Sequence, residues 1–406
     1  MSEGNRGALD GIVVLDCGQF LAGPFCGRLL GDMGADVIKV ERTKTGDDMR
    51  RGGLARVGGE APQFLIGNRN KRSLAIDIRN PEGREVFMRL VERADVVVEN
   101  YRPGTMGRQG LGYKQLSERN PRIVYCSVSG FGQTGPYRDQ GGFDLIAQGM
   151  SGIMSVTGQS RDSTVRVGVS VADLTTSIYA AYGITCALIE RGRTGKGQQV
   201  DVALLDSAIS LMVWESAVLW STGRAPEPIG TGSRTSVPYQ AFPTADGSIT
   251  VGAGNQNAWL AACEAIGRPD LAEDARYATN MDRVRHRAEL VEELSRVFRT
   301  DTSAHWVERL HAAGCPAGPI YTLDQVYEDP QVQAREMKVV VQHPTAGPVN
   351  DIGFPVKLSR TPAAVRRPPP LLGQHTSQVL EDLLGIDPAE VSRLEQAGVV
   401  ERRPED

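Results

Sequence analysis

Asp173 is the only charged side chain between Arg166 and Glu190. It heads a run in which apolar and small residues recur at helical spacing: Leu174, Ile178, Ala181, Ile184 and Leu188. An aspartate there has two uses. As a helix N-cap, its oxygen accepts from free backbone N–H groups at the positive end of the helix dipole. As a nucleophile, it is a carboxylate that the same dipole keeps ionised, and nearby N–H groups stabilise the charge that develops as it attacks. Spacing alone favours the cap. The surrounding residues must decide.

Other chemistries find less support. All five histidines (His286, His305, His311, His343, His375) lie in the last third of the chain. The first 285 residues therefore offer no histidine as base or ligand, which weakens a Ser–His–Asp or zinc reading around Asp173. Gly168–Ala172 loosely matches a hydrolase nucleophile elbow, but that fold needs an acid and then a histidine downstream, and the histidines here follow a linker and lie in helical, turn or hairpin contexts. GRTGKGQ follows a helix and lacks the Ser/Thr of a phosphate-binding loop. Gly18, Gly23 and Gly27 are too widely spaced for a dinucleotide fingerprint, so Glu41 is not expected to hold a ribose. No EF-hand or zinc pattern occurs, and no metal is expected.

The elements that would position Asp173 are strands alternating with helices. Residues 11–41 read as strand, loop, helix and strand, a βαβ unit that predicts a parallel sheet. KRSLAIDI, ADVVVEN and RIVYCSVSGFG are further strands, and PEGREVFMRLVERA is an amphipathic helix opened by Pro81. VRVGV before Asp173 reads as strand or extended chain, Gly192 as the stop of the helix, and DSAISLMVWESAVLWSTG as one helix. Arg42, Arg79, Arg102 and Arg108 follow strand ends, where α/β sheets gather ligands; they suit an anionic group such as a phosphate-bearing cofactor, and equally well simple exposure to solvent.

RAPEPIGTGSRTSVP reads as a linker into a second domain that opens with a hairpin turning at Asp246–Gly247. GAGNQ (Gly252–Gln256) follows, which on this feature alone reads first as an ordinary strand-to-helix turn and second as glycines that let backbone approach a ligand closely, and then a helix from Asn257. Residues 337–360 return to short strands, TSQVLEDLLG is a helix capped by Thr376, and ERRPED is expected to fray.

With 406 residues, the chain can hold two domains and a large core. A net charge of −4 argues against a nucleic-acid partner. No apolar run reaches the length of a membrane span, the N-terminus shows no apolar signal segment, and the six scattered cysteines suit a reduced compartment. A cytoplasmic enzyme is expected.

These segments together resemble the family III CoA-transferases, which include carnitine and formate/oxalate CoA-transferases and also the α-methylacyl-CoA racemases. GADVIKVE, GNRNKRSLAIDI, ADVVVENYRPGTM, SVSGFGQTGPY, GGFDLIAQGMSGIMSVTG, VRVGVSVADL, RTGKGQQVDVALLDS and GAGNQ carry the likeness, from GIVVLD to LLGQHTSQVL. The resemblance implies an α/β fold. A Rossmann-like large domain (residues 1–223, rejoined by 337–406) binds coenzyme A, and a smaller α+β domain spans 224–336, in an interlocked homodimer. It implies that Asp173 attacks an acyl-CoA to give an aspartyl anhydride and then an aspartyl-CoA thioester, which passes CoA to a carboxylic acid, plausibly a small dicarboxylate. Gly252, Gly254, Asn255 and Gln256 would form the loop that shields these intermediates from water. Arg42, Arg79, Asn100 and Arg108 would line the CoA nucleotide, and Leu21, Phe143 and Asp144 the substrate pocket. Racemases of the family carry a histidine at the position of Phe143, which cannot move a proton, so racemase or epimerase activity is the lesser expectation. A non-catalytic CoA-binding protein, with Asp173 as a cap only, is the other.

Overall fold

The computed structural model describes residues 6–53 and 55–403. The chain divides into two compact units, one of Met1–Ile153, Arg166–Trp214 and Gln331–Asp406, the other of Met154–Val165 and Glu215–Pro330. The breaks read from sequence, at 223 and 336, lie a few residues further along.

The first unit is built on a seven-stranded sheet. Its opening βαβ unit comprises β1 (Val13–Asp16), α1 (Ala22–Asp32) and β2 (Asp36–Glu41). Next come β3 (Lys71–Ile76), β4 (Val96–Glu99), β5 (Val124–Ser129), α2 (Asp144–Met150), α3 (Val171–Thr194) and β6 (Gln199–Ala203). The strand order is β12-β3-β2-β1-β4-β5-β6, and every pairing is parallel except that of β12 (Val400–Glu401) with β3. Strand alternation feeds both faces. Leu15 and Val97 enter a core with helix Pro81–Arg93 and helix Thr376–Leu384, while Val14 and Val96 enter one with α1 and α3. The result is a sheet covered on both sides.

In α1, Gly23, Gly27 and Gly31 repeat at four-residue spacing and share a face. A Cβ at these positions would come within 3.2 Å of Asn100, 3.0 Å of Asp16 and 3.1 Å of Asn70, respectively. The stripe lets the helix lie directly on buried polar side chains, which a larger residue would push away.

The second unit has its own antiparallel sheet, β7 (Tyr239–Pro243), β8 (Ser248–Gly252) and β9 (Ala317–Pro319), with α4 (Gln256–Ala265) after β8. Trp259, Phe242, Phe298 and Trp306 fill its core. The expected turn at Asp246–Gly247 is present, closed by Thr244 N–H donating to the Gly247 carbonyl at 3.0 Å. The hairpin β10 (Lys338–His343) and β11 (Gly347–Ile352) belongs to the first unit, where Asp351 pairs with Arg28 and Arg69.

Several sequence expectations are corrected. VRVGV forms no strand and is largely exposed. The helix after Asp173 passes Gly192 and ends at Gly195, whose φ of +75° a glycine adopts without penalty. The run after β6 breaks into helices Leu204–Ser210 and Val213–Thr222. Thr376 is not a cap; its hydroxyl donates to the Glu401 carbonyl at 2.7 Å and accepts from Ala75 N–H at 3.2 Å. The tail does not fray at its start, because Val400 and Glu401 complete the sheet; residues 404–406 lie outside the described residues.

Candidate active site

Reversal of strand order between β1 and β4 opens a crevice at their carboxyl ends, where doubly wound sheets bind ligands. A cleft of about 280 Å³ lies there. Gln19, Phe20 and Leu21 from the loop after β1 line it, together with Asn100 and Arg102 after β4, Phe143 before α2, and Asp173 on α3.

Asp173 is not an N-cap. The cap position of α3 is Ser170, which places Asp173 at the third helical residue, and no side chain of that segment closes a capping bond. The capping is done by Asp144, at the head of α2. Its Oδ1 accepts from Ala172 N–H at 2.8 Å and lies 3.4 Å from Asp173 N–H, while its Oδ2 accepts from Gln148 Nε2 at 2.7 Å. Asp173 is thereby released from the role that its position suggested. Ser177 Oγ, 2.8 Å from the Ala22 carbonyl and 2.9 Å from that of Asp173, ties α3 to α1.

Nor is Asp173 held firmly ionised. Burial pushes its carboxyl up to about 7, and the neighbouring Asp144 adds to the shift; no cation offsets either. A carboxyl poised there is half ionised at neutral pH, and its anion, short of compensating charge, is a better nucleophile than a salt-bridged one. The N-termini of α1, α2 and α3 all reach this cleft, through Ala22, Phe143 and Asp173. No side chain caps α1. Three positive dipole ends favour negative charge developing among them.

The cleft therefore gathers Leu21, Asn100, Phe143 and Asp173, with Asp144 directly behind. Phe143 is 70% exposed and offers no proton-carrying group. Both polar atoms of the Asn100 amide are engaged, accepting from Gln19 N–H and donating to the Gln19 carbonyl, each at 2.7 Å. Arg42 is outside the lining; it donates to Asp48 at 2.7 Å and reaches Gln19 Oε1 at 3.5 Å. Arg79 and Arg108 are exposed and do not line the cleft; Arg108 donates to Thr105 Oγ1 at 3.1 Å. Arg102, noted only as a strand-end arginine, does line it.

In the second unit, Gly252 ends β8 and Asn255 caps α4 by accepting from Ala258 N–H at 2.9 Å. Gln256 accepts from Arg283 at 3.0 Å. A Cβ at Gly252 or Gly254 would meet nothing closer than 3.6 Å, and neither residue has positive φ. Packing within the unit does not require glycine at either position.

Sequence reasoning missed Gln19 and Phe20, and no periodicity marks them. It also passed over Asp16, Lys39, Asp47 and Lys71, all buried beneath the loop that carries these two. Lysines inside apolar strands such as DVIKVE were the available signal.

Fold and site together describe an α/β protein with a partly buried, uncompensated carboxyl in the cleft at its sheet's switch point. The model for CoA-transferase family III matches residues 9–376, and the chain belongs to that family. It is 40% identical to human succinyl-CoA:glutarate CoA-transferase over 97% of this chain and 90% of the relative. It is 39% identical to succinyl-CoA–D-citramalate CoA-transferase of Chloroflexus aurantiacus, over 97% and 98%. The crystal structure of a CAIB/BAIF family protein from Brucella suis superposes with a TM-score of 0.84 at 38% identity, covering 93% of this chain and all of that one. The chain is a CoA-transferase.

Proposed function

We propose that the enzyme moves CoA from an acyl-CoA donor, such as succinyl-CoA, to a small dicarboxylate through covalent intermediates on Asp173. One observation carries this reading: Asp173 faces the switch-point cleft with its capping role taken by Asp144 and no cation beside it. Relatives named for glutarate and D-citramalate support a dicarboxylate acceptor.

In the first step, a carboxylate oxygen of Asp173 attacks the donor thioester carbonyl. A C–O bond forms, the C–S bond breaks, and CoA leaves as thiolate. The thiolate then attacks the Asp173 carbonyl of the anhydride, releasing the donor acid and leaving an aspartyl-CoA thioester. The acceptor carboxylate attacks that thioester and expels the thiolate. The thiolate attacks the acceptor's acyl carbonyl, giving the new acyl-CoA and restoring Asp173. No proton is consumed, and thioester free energy is conserved only if water is excluded.

Arg42, Arg79, Asn100 and Arg108 are proposed to bind the CoA nucleotide, on the family likeness. Leu21, Phe143 and Asp144 are proposed to shape the acceptor pocket. Gly252, Gly254, Asn255 and Gln256 are proposed to shield the intermediates, and the absence of a packing reason for the two glycines is in keeping with a ligand passing close by. A homodimer is proposed because α3 leaves Ile178, Tyr182 and Ile189 exposed at 56%, 66% and 56%. Six free cysteines, five of them buried, support a cytoplasmic setting.

The test is to supply succinyl-CoA with glutarate, citramalate, mesaconate and monocarboxylates and read product masses. Hydroxylamine trapping would then locate the covalent adduct. Transfer to dicarboxylates with Asp173 converted to its hydroxamate is expected. Exchange of the α-proton with solvent deuterium without an acceptor would point instead to a racemase, and binding of acyl-CoA without adduct or turnover to a non-catalytic protein.

A further inference from the structure

Among the described residues, the peptide groups of Gly18, Gln19 and Phe20 make no hydrogen bond to another main-chain group. Side chains hold them instead. Gly18 N–H donates to Asp16 Oδ1 at 2.9 Å, and the Gly18 carbonyl accepts from Lys39 Nζ. Asn100 holds both sides of Gln19. Phe20 N–H donates to Asp47 Oδ1 at 3.1 Å. Asp47 is 2% exposed, and its other oxygen lies 2.9 Å from Nζ of Lys39, which is fully buried.

Phe20 is held in an unusual place. Its φ is +60°, in the left-handed region that a bulky residue rarely adopts, although its side chain is half exposed in the cleft that Asp173 lines. Such a conformation persists only where surroundings over-determine it. Local preference would return the loop to negative φ and move the part of the cleft wall that Phe20 forms. Burial alone would raise the Asp47 carboxyl, but Lys39 and the N–H groups of Met49 and Phe20 outweigh it and keep the group below its ordinary range. The anchor is therefore charged, and a charged acceptor binds an N–H more strongly than a neutral one.

We infer that Asp47, braced by Lys39, is a positioning residue for acyl transfer: it fixes Phe20 in the left-handed conformation and so sets part of the wall of the cleft that Asp173 also lines. This inference rests on the function proposed above. It predicts that breaking the Asp47–Phe20 bond from either side has the same consequence. Asp47→Ala removes the acceptor. Phe20→Pro removes the N–H and locks φ near −65° without touching the buried ion pair.

The experiment measures CoA transfer from succinyl-CoA to the best dicarboxylate for Asp47→Ala, Phe20→Pro, the double variant and Phe20→Ala, together with CoA affinity by calorimetry. Each of the first two is expected to lower kcat about tenfold or more with CoA affinity within about twofold. Phe20→Pro should lose at least about tenfold more than Phe20→Ala, which keeps the N–H. The double variant should fall little further than either single one, since both break one interaction. Multiplying losses, or equal effects of Phe20→Pro and Phe20→Ala, would overturn the inference. If Asp47→Ala does not fold, the Pro-against-Ala comparison decides alone. A wild-type protein that transfers no CoA would instead sink the proposed function, and a crystal structure of Phe20→Ala would then test the anchor alone: φ at residue 20 stays positive if it holds and turns negative if it does not.

Discussion

Asp16 and Asp173 belong to the same unit, one just before the loop that lines the cleft and the other lining that cleft with it, and their surroundings are opposite. Asp16 is fully buried and matched: Lys71 Nζ lies 2.8 Å from its Oδ2, Lys39 Nζ 3.8 Å, and Gly18 N–H donates to it. Asp173 is only partly buried, has a second carboxylate rather than a cation as its neighbour, and is pushed up to about 7. Depth of burial thus fails to mark the acid proposed to react. Missing compensation marks it, because a paired carboxylate has its charge spent on structure whereas an unpaired one can spend it on substrate.

The largest effect tests the unpaired acid. Asp173→Ala should lower kcat/KM by at least about 10³-fold while the variant still binds CoA, as expected when a covalent nucleophile is removed. Turnover retained within an order of magnitude would remove the contrast altogether.

The paired acid should answer in stability. Lys71 also donates to the Pro24 carbonyl and to Asn68, each at 2.7 Å, so Lys71→Met strands several buried acceptors. A loss of about 3 kcal/mol is expected from urea unfolding. A loss below about 1 kcal/mol would mean that the ionic group contributes little to the fold.

The opposite sign is expected at Asp173. Its folded pKa lies above its unfolded value of 3.8, so the native state binds the extra proton between about pH 4 and pH 7 and loses stability as pH rises through that window. Asp173→Asn should therefore be more stable than the wild type at pH 8, by about 1–2 kcal/mol, and not at pH 4. Wild-type kcat/KM should rise with pH to a plateau with its midpoint near 7. The smallest effect concerns Asp144. Asp144→Asn keeps an oxygen for Ala172 N–H but removes the like charge, so the activity midpoint should move to lower pH by less than one unit. An upward move would show that Asp144 acts on Asp173 by another route.

The parallel sheet was readable because its buried strands carry short apolar runs, and β1 to β5 each fall within a segment that could be picked out. The isolation of Asp173 in an apolar helix was readable too. Its environment was not: that Asp144 takes over capping depends on α2 arriving beside α3, 28 residues distant in sequence at Ala172. Local pattern also misplaced the end of α3, since Gly192 and Gly195 both satisfy a helix stop in sequence and only Gly195 takes the left-handed conformation that ends the helix. The strand Val400–Glu401, which ends on the first residue of ERRPED, could not be seen, because two residues carry no period and owe their conformation to the free edge of β3. Phe20 is the extreme case, since its conformation opposes its residue type.

The pairing of β12 with β3 joins Val400 to Ile76. A ribosome must therefore deliver more than three hundred residues, the whole of the other unit among them, before that edge can close. Until then the nascent sheet waits with an open border, and the interval invites mispairing or a guardian chaperone. The second unit, drawn from a nearly continuous stretch, faces no such delay, so a pulse-labelling experiment should find it protected first.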